Sequence, residues 1–329
     1  MVVKNKIKIS NILRSYGVMM GLLLIIIIAS FVEPTFFSQK NMLNILRQVS
    51  VIGLCALGMT YVMIAGGMDL SIGSTVSLSA VVSIIIMNKM SANGNPNFAA
   101  IVAIGAAITV GFLVGLINGT VIAIIKGRLG ESFIITYSMQ IVVAALALLV
   151  TKGQFTAGKF SEGIYTNLGT GLWPIFVFVL IAIVMQIVLT KTKYGRMTYF
   201  IGANVNAANM SGLKVKTITM VTYALCGACA GLAAVLVTSR VNSASPLQGI
   251  GYEFDAIAAV VVGGTSLTGG SGSISKTVVG VLIIGVLGNA LNIIGVNANA
   301  QLIVRGAIII LTVGLDVWNR SVRVKEVSI

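Results

Sequence analysis

The sequence predicts an all-α polytopic membrane protein, with about ten transmembrane crossings and two Gly-rich helix breaks in repeated halves. Three observations predict it. Of 329 residues, 57% are hydrophobic and only 9% charged, where a soluble domain carries roughly 25% charged residues. Apolar runs of about 20 residues, long enough to span a bilayer as helix, recur along the whole chain. Finally, Gly66-Gly67-Met68-Asp69-Leu70-Ser71-Ile72-Gly73-Ser74 returns in the second half as Gly263-Gly264-Thr265-Ser266-Leu267-Thr268-Gly269-Gly270-Ser271. Aligned without a gap, both read G-G-x-x-L-[ST]-x-G-S. Irregular backbone at membrane depth survives only where it is buried in protein or lines a cavity, so two such breaks at matching places point to a transport pathway.

The crossings are expected at about 16–32, 46–65, 71–88, 98–125, 132–151, 172–190, 216–238, 252–263, 276–294 and 299–316. The first follows Lys4, Lys6, Lys8 and Arg14 and resembles a signal peptide. It lacks a small-x-small cleavage site and further spans follow, so it reads as an uncleaved helix. The fourth carries Gly111, Gly115 and Gly119 on one face, and the seventh carries Gly227 and Gly231; such faces let helix backbones approach closely in lipid. The eighth is short and reads as either full or re-entrant. Between the fifth and sixth lies a polar, Gly-rich loop from about Lys152 to Gly171. The longest loop on the other side runs from about Lys191 to Lys216.

Net charge is +14, but the basic residues are scattered among short loops, which argues for membrane orientation and against nucleic acid. With the N-terminus inside, Lys40, Arg47, Lys89, Lys152, Lys159, Arg240 and Arg305 fall outside. The remaining 22 − 7 = 15 fall inside. Both termini are therefore expected in the cytoplasm.

Several constellations carry chemistry or imitate it. Cys226-Gly-Ala-Cys229 is formally a CxxC, but no histidine exists to complete a metal set, and the pair reads as packing. Gly270-Ser-Gly-Ser-Ile-Ser275-Lys276-Thr277 resembles a phosphate loop with Ser in place of the second Gly, yet both flanks are spans. Asp69 is the carboxylate placed farthest from any long loop; it suits a pathway or gate, or the N-cap of the third crossing. Glu253 and Asp255 open the eighth crossing near the outer face, where acidic residues suit a helix N-terminus. In the inner loop, Asn204 is a candidate N-cap, Ala207 and Ala208 favour helix, and Gly212 is a candidate stop. A short helix of small residues there would lie in a partner's groove.

These motifs resemble the permease subunits of bacterial ABC sugar importers, of the ribose/xylose/arabinose/galactose branch. The Gly-Gly-x-Asp-Leu-Ser-x-Gly-Ser motif is matched at 66–74, and G-x-N-x-x-A-A-x-x-S-G-[IL] at 202–213. The late segment is similar from Val262 through Gly280, Asn289, Leu291, Gly295, Gln301 and Gly306 to Asp316. Asn118-Gly119 and Phe133-Ile134 with Thr136 also fit. The resemblance covers about residues 40–318 and departs at Glu131-Ser132, where the family often has Pro-Pro.

The resemblance implies one transmembrane permease domain over 1–329, with a cytosolic coupling segment at about 191–216, in the bacterial inner membrane. It implies a second permease subunit, either another copy in a homodimer, the first expectation, or a relative of this chain, together with a cytosolic ABC ATPase that binds ATP and Mg and an extracytoplasmic sugar-binding protein. No catalytic residue, metal or cofactor is expected on this chain, and no nucleic acid partner. The pathway or gate is expected at Gly66, Gly67, Asp69, Ser71, Ser74, Asn118, Gly263, Gly264, Thr265 and Ser266. Coupling to the ATPase is expected at Gly202, Asn204, Ala207, Ala208, Ser211 and Gly212. Ribose is the first expectation, with xylose, arabinose, galactose and autoinducer-2 beside it. The competing class is a self-powered secondary transporter, which would want several buried ionisable groups.

Overall fold

The computed structural model describes residues 26–310 and 314, apart from 28, 29, 32, 33, 93, 128, 298, 305 and 309. Most of the first expected crossing, the end of the tenth, Asp316 and the basic residues Lys4, Lys6, Lys8, Arg14, Arg128, Arg305, Arg320, Arg323 and Lys325 lie outside the described residues.

The described chain is helical almost throughout. After a 3-10 turn at Pro34–Phe37 come α1 (Gln39–Ile64), α2 (Ile72–Ser91), α3 (Pro96–Ile125) and α4 (Leu129–Thr151). Then follow β1 (Thr156–Ala157), α5 (Ile164–Leu168), α6 (Trp173–Lys191), α7 (Lys193–Ala203), α8 (Val205–Met210) and α9 (Val215–Val241). The series ends with β2 (Ser243–Ala244), α10 (Tyr252–Val262) and α11 (Ile274–Ile293). Residues 299–304 are helical again. Among the described residues, seven helices are long and apolar enough to cross a membrane: α1, α2, α3, α4, α6, α9 and α11.

Helix α1 is the core. It starts at Ser38, whose side chain accepts Asn41 N–H, and from Val49 to Ile64 every residue is buried. A helix apolar all round belongs inside a bundle, and α6, α9, α10 and α11 pack around this one. The two glycine faces meet as expected. A Cβ at Gly111 would strike Gly227 O, one at Gly115 would strike Tyr223 O, and one at Gly231 would strike Ala107 O. Helices α3 and α9 therefore run in near backbone contact, the most extensive helix pair of the fold. Helices α3, α4 and α6 turn the rest of their apolar surface outward, through Ile101, Ile117, Ile134, Ile141, Phe176 and Ile183, as lipid-facing helices do. Cys55, Cys226 and Cys229 are free and buried.

The bundle has two ends. Lys126, Lys191, Lys193, Arg196, Lys214, Lys216 and Lys276 gather at the end that carries α7 and α8. At the opposite end β1 pairs with β2, and Asn88 fixes that ribbon by donating to Ala157 O and accepting Lys159 N–H. The loop from Lys152 to Gly171 is folded back onto the bundle there, with the Tyr165 hydroxyl buried between Ser83 and Thr238.

Helix α10 departs from expectation in depth. Its 11 residues rise about 16 Å, half of what a bilayer core requires. The missing half is non-helical chain from β2 to Gly251. Gly249 N–H reaches Ser77 Oγ at 2.9 Å, whereas the ribbon is tied to Asn88; the difference of 88 − 77 = 11 residues on α2 is about 16 Å. Residues 246–251 cover that depth as a series of turns, in which Gln248 N–H bonds Ser245 O, Ile250 N–H bonds Leu247 O and Tyr252 N–H bonds Gly249 O. Glu253 and Asp255 do open α10, but they sit deep in the bundle, buried, rather than near its face.

Candidate functional site

Helix α1 stops because Gly66 takes a positive φ of 85°, which only glycine adopts at no steric cost. Gly66 N–H then bonds Met63 O, and Gly67 N–H bonds Val62 O, the pattern that closes a helix C-terminus. Helix α10 stops the same way: Gly264 has φ 82°, its N–H bonds Val261 O, and Thr265 N–H bonds Val260 O. The two terminations match in every bond. They equate Gly66 with Gly264, one residue away from the ungapped sequence alignment, which paired Gly66 with Gly263. The segments that follow also differ in length: α2 resumes at Ile72, but α11 only at Ile274.

The two unwound segments converge on the last turn of α7. Gly270 N–H bonds Ile64 O at 2.9 Å. A Cβ at Gly202 would overlap Ile64 O and stand 2.6 Å from Gly270 N, and one at Gly269 would lie 2.8 Å from Gly66 Cα. Tyr199, also on α7, donates its hydroxyl proton to Gly272 O at 2.7 Å. Gly202, Gly269 and Gly270 thus pack backbone to backbone with no room for side chains, and they close on Gly66, where the positive φ rather than space favours glycine.

Beside the junction a cavity of about 550 Å³ opens at the same end. Gly66, Gly67, Gly202, Asn204, Thr268 and Tyr223 line it, with Lys126 and Lys216 among its cations. Of the expected pathway residues, only Gly66 and Gly67 line this cavity.

Asp69 lies behind the cavity wall, 1% exposed. Its Oδ1 accepts Ser71 N–H at 3.0 Å and the Ser71 hydroxyl at 2.7 Å. Asn118 Nδ2 donates to Ser71 Oγ at 2.8 Å, and Ser74 Oγ donates to Ser71 O. Asp69, Ser71, Ser74 and Asn118 are therefore brought together. Ser71, not Asp69, occupies the N-cap position of α2; Asp69 braces the turn before it. Two hydroxyls hold the rest of the turn: Ser132 Oγ accepts Met68 N–H, and Thr136 Oγ1 accepts Leu70 N–H. Tyr223 donates to Met68 O from α9. Gly263 packs on the backbone of Lys276 and Thr277. Thr265 and Ser266 are buried, away from the Asp69 group. Thr277, the last residue of the phosphate-loop look-alike, shares its hydroxyl with Thr60 at 2.8 Å.

The inner helices follow the sequence in outline. Asn204 caps α8, accepting Ala207 N–H at 3.0 Å. Ser211 is the C-cap residue, and Gly212 takes φ 73° while Leu213 N–H closes on Ala208 O. One expectation is corrected. Ala208 is 0% exposed and packs on Ile201 and Ile218 of its own chain, so it cannot be the surface that meets a partner. The outward face carries Met210 instead, 90% exposed. Small residues look alike on both faces of a short helix; the signal for Met210 was its isolation as a long apolar side chain among Asn and Ser.

Comparison with known proteins bears on this arrangement. The family described as "Branched-chain amino acid transport system / permease component" matches residues 41–313. The chain is 39% identical over 318 residues to the ribose import permease protein RbsC of Bacillus subtilis (strain 168), covering 95% of this chain and 96% of that protein. It is 38% identical to its namesake of Escherichia coli (strain K12), covering 91% and 92%. It is also 36% identical to the galactose/methyl galactoside import permease protein MglC of Escherichia coli (strain K12), covering 95% and 96%. No solved structure matches. With both the bundle and its two unwound segments inside the matched range, the chain belongs to this family of transport-system permease components.

Proposed function

We propose that this chain is the membrane-spanning permease subunit of an ABC importer for a small sugar, with ribose the first candidate. The observation that carries the reading is the glycine junction. There α7, which leads into α8, rests directly on both unwound segments, so a push on α7 reaches the two places where the bundle's helices are broken. A partner ATPase docked on α7 and α8 would deliver that push. ATP and Mg are assigned to that partner, since the phosphate-loop look-alike at 270–277 lacks its second Gly and leads directly into α11. The sugar preference rests on the relatives, whose identity is higher for the ribose permeases than for the galactose one.

In this reading the α7/α8 end is cytosolic, in accord with its cluster of basic residues. The termini are cytosolic too, and the ten crossings comprise the seven long helices, α10 with its non-helical approach, and one span at each end of the chain. A binding protein delivers sugar at the opposite end, and a second copy completes the path. Gly66, Gly67 and the 550 Å³ cavity form the cytosolic exit; Asp69, Ser71, Ser74 and Asn118 hold its wall in shape. A deletion strain grown on single sugars tests the substrate: loss of growth on ribose alone supports the reading. Unimpaired growth on ribose with loss on xylose, arabinose or galactose would reassign the sugar, and no growth defect on any sugar would sink the importer.

A further inference from the structure

We propose that Ser132, Thr136 and Gln140 make α4 a strut that ties the first unwound segment to the non-helical turns before α10, so that the two change shape together. The three side chains stand at i, i+4 and i+8 and therefore share one face of α4, over about 12 Å of helix. Ser132 accepts Met68 N–H at 3.1 Å and Thr136 accepts Leu70 N–H at 3.0 Å. Those donors lie between α1 and α2 and have no helical acceptor, so α4 supplies what their own helices do not. Gln140 Nε2 donates to Glu253 Oε1 at 3.3 Å, and the same oxygen accepts Gly251 N–H at 3.3 Å.

The rest of α4 makes the seam conspicuous. Val143 and Ala147 continue it as buried apolar residues, while Ile134, Tyr137, Ile141, Leu146 and Leu149 face outward. The α4 seam is thus polar from Ser132 to Gln140 and apolar beyond, and its three polar side chains land on, or beside, non-helical backbone. Glu253 closes the circuit: its Oε2 fills the space a Cβ on Gly73 would need, in the first turn of α2. Ser132, which also borders the cavity, and Thr136 act through backbone, and Gln140 acts through the Glu253 carboxylate; all three are positioning residues.

The inference rests on the transport reading above. The test uses the full complex with ATPase and binding protein in proteoliposomes, following ribose uptake and ATP hydrolysis side by side. Gln140→Leu removes the bond to Glu253 and leaves the junction at α7 intact. Loaded binding protein should still stimulate its hydrolysis, while ribose taken up per ATP falls about tenfold, the value of one hydrogen bond. Thr136→Val, which removes the acceptor for Leu70 N–H, should lower the same ratio. Exchanging the pair, Gln140→Glu with Glu253→Gln, restores donor and acceptor and should restore the ratio, where Gln140→Glu alone opposes two carboxylates and should not. An unchanged ratio in Gln140→Leu overturns the proposal. So does a parallel fall of uptake and hydrolysis, which a merely structural role produces, or an exchange variant of normal abundance that stays uncoupled. Wild-type uptake in the same vesicles is the reference, and without it both this inference and the transport reading fall.

Discussion

Replacing Gly202 by Ala tests whether the glycine junction is as tight as its geometry says. In an ordinary helix the change should stabilise, since Ala is favoured over Gly by about 1 kcal/mol. Here the new Cβ overlaps Ile64 O and stands 2.6 Å from Gly270 N, where ordinary contact begins at 3.4 Å. The Gly270 side must yield by at least 3.4 − 2.6 = 0.8 Å, and both obstacles are backbone atoms joined by their own 2.9 Å hydrogen bond. Overpacking of this kind costs about 1–3 kcal/mol, and loss of the bond adds about 1 kcal/mol. Set against the propensity gain, the net expectation is a destabilisation of about 1–3 kcal/mol, reversing the sign set by propensity. Gly264→Ala is the control: nothing lies within 4 Å of its Cβ, so it meets only the left-handed backbone penalty of about 1–2 kcal/mol. Thermal unfolding in detergent reads the difference, with Gly202→Ala melting below Gly264→Ala and both below wild type. Gly202→Ala melting at or above wild type would refute the junction.

Other expectations follow from the same geometry. Met210→Asp should cut co-purification with the ATPase while leaving protein abundance unchanged, whereas Ala208→Trp should lower abundance itself, because it overfills the Ile201–Ile218 cluster. A cysteine at Met210 in an otherwise cysteine-free chain should react with a membrane-impermeant maleimide only from the cytosolic side. Asp69→Asn keeps an acceptor for Ser71 and should retain abundance and uptake; Asp69→Ala should lose about 1–3 kcal/mol in the same unfolding assay, by leaving buried donors unmatched. Gly111→Leu should separate α3 from α9 and abolish accumulation of folded protein, read by fluorescence-detected gel filtration.

Much of the fold was legible because lipid imposes a simple rule. Runs such as 98–125 and 216–238 had to be spans, and their glycine faces had to meet something small; each found the other. The short eighth crossing betrayed itself by length. Its depth did not show, because the turns at 246–251 read as an ordinary loop, and only Gly249 meeting Ser77 reveals the descent. The repeat was legible as a motif, but its register was not: in a Gly-Gly pair either residue can take the positive φ, and the chain uses the second in one half and the first in the other. At the site, Asp69 read from sequence as a gate or as the N-cap of the third crossing; Ser71 takes the cap position, and Asp69 braces the turn before it. The arrival of Asn118, Ser132, Thr136 and Tyr223 from three other helices is tertiary and left no local trace. Ala207 and Ala208 drew attention for their size, yet size does not say which face of a six-residue helix looks inward.

The most direct measurement reconstitutes the purified chain in liposomes, alone and with its ATPase enclosed, with sugar-loaded binding protein outside. The account predicts that the lone chain neither hydrolyses ATP nor accumulates ribose, and that accumulation begins only when ATPase and ATP are both present. Accumulation by the lone chain on an imposed proton or sodium gradient, or ATP hydrolysis without the partner, would contradict it.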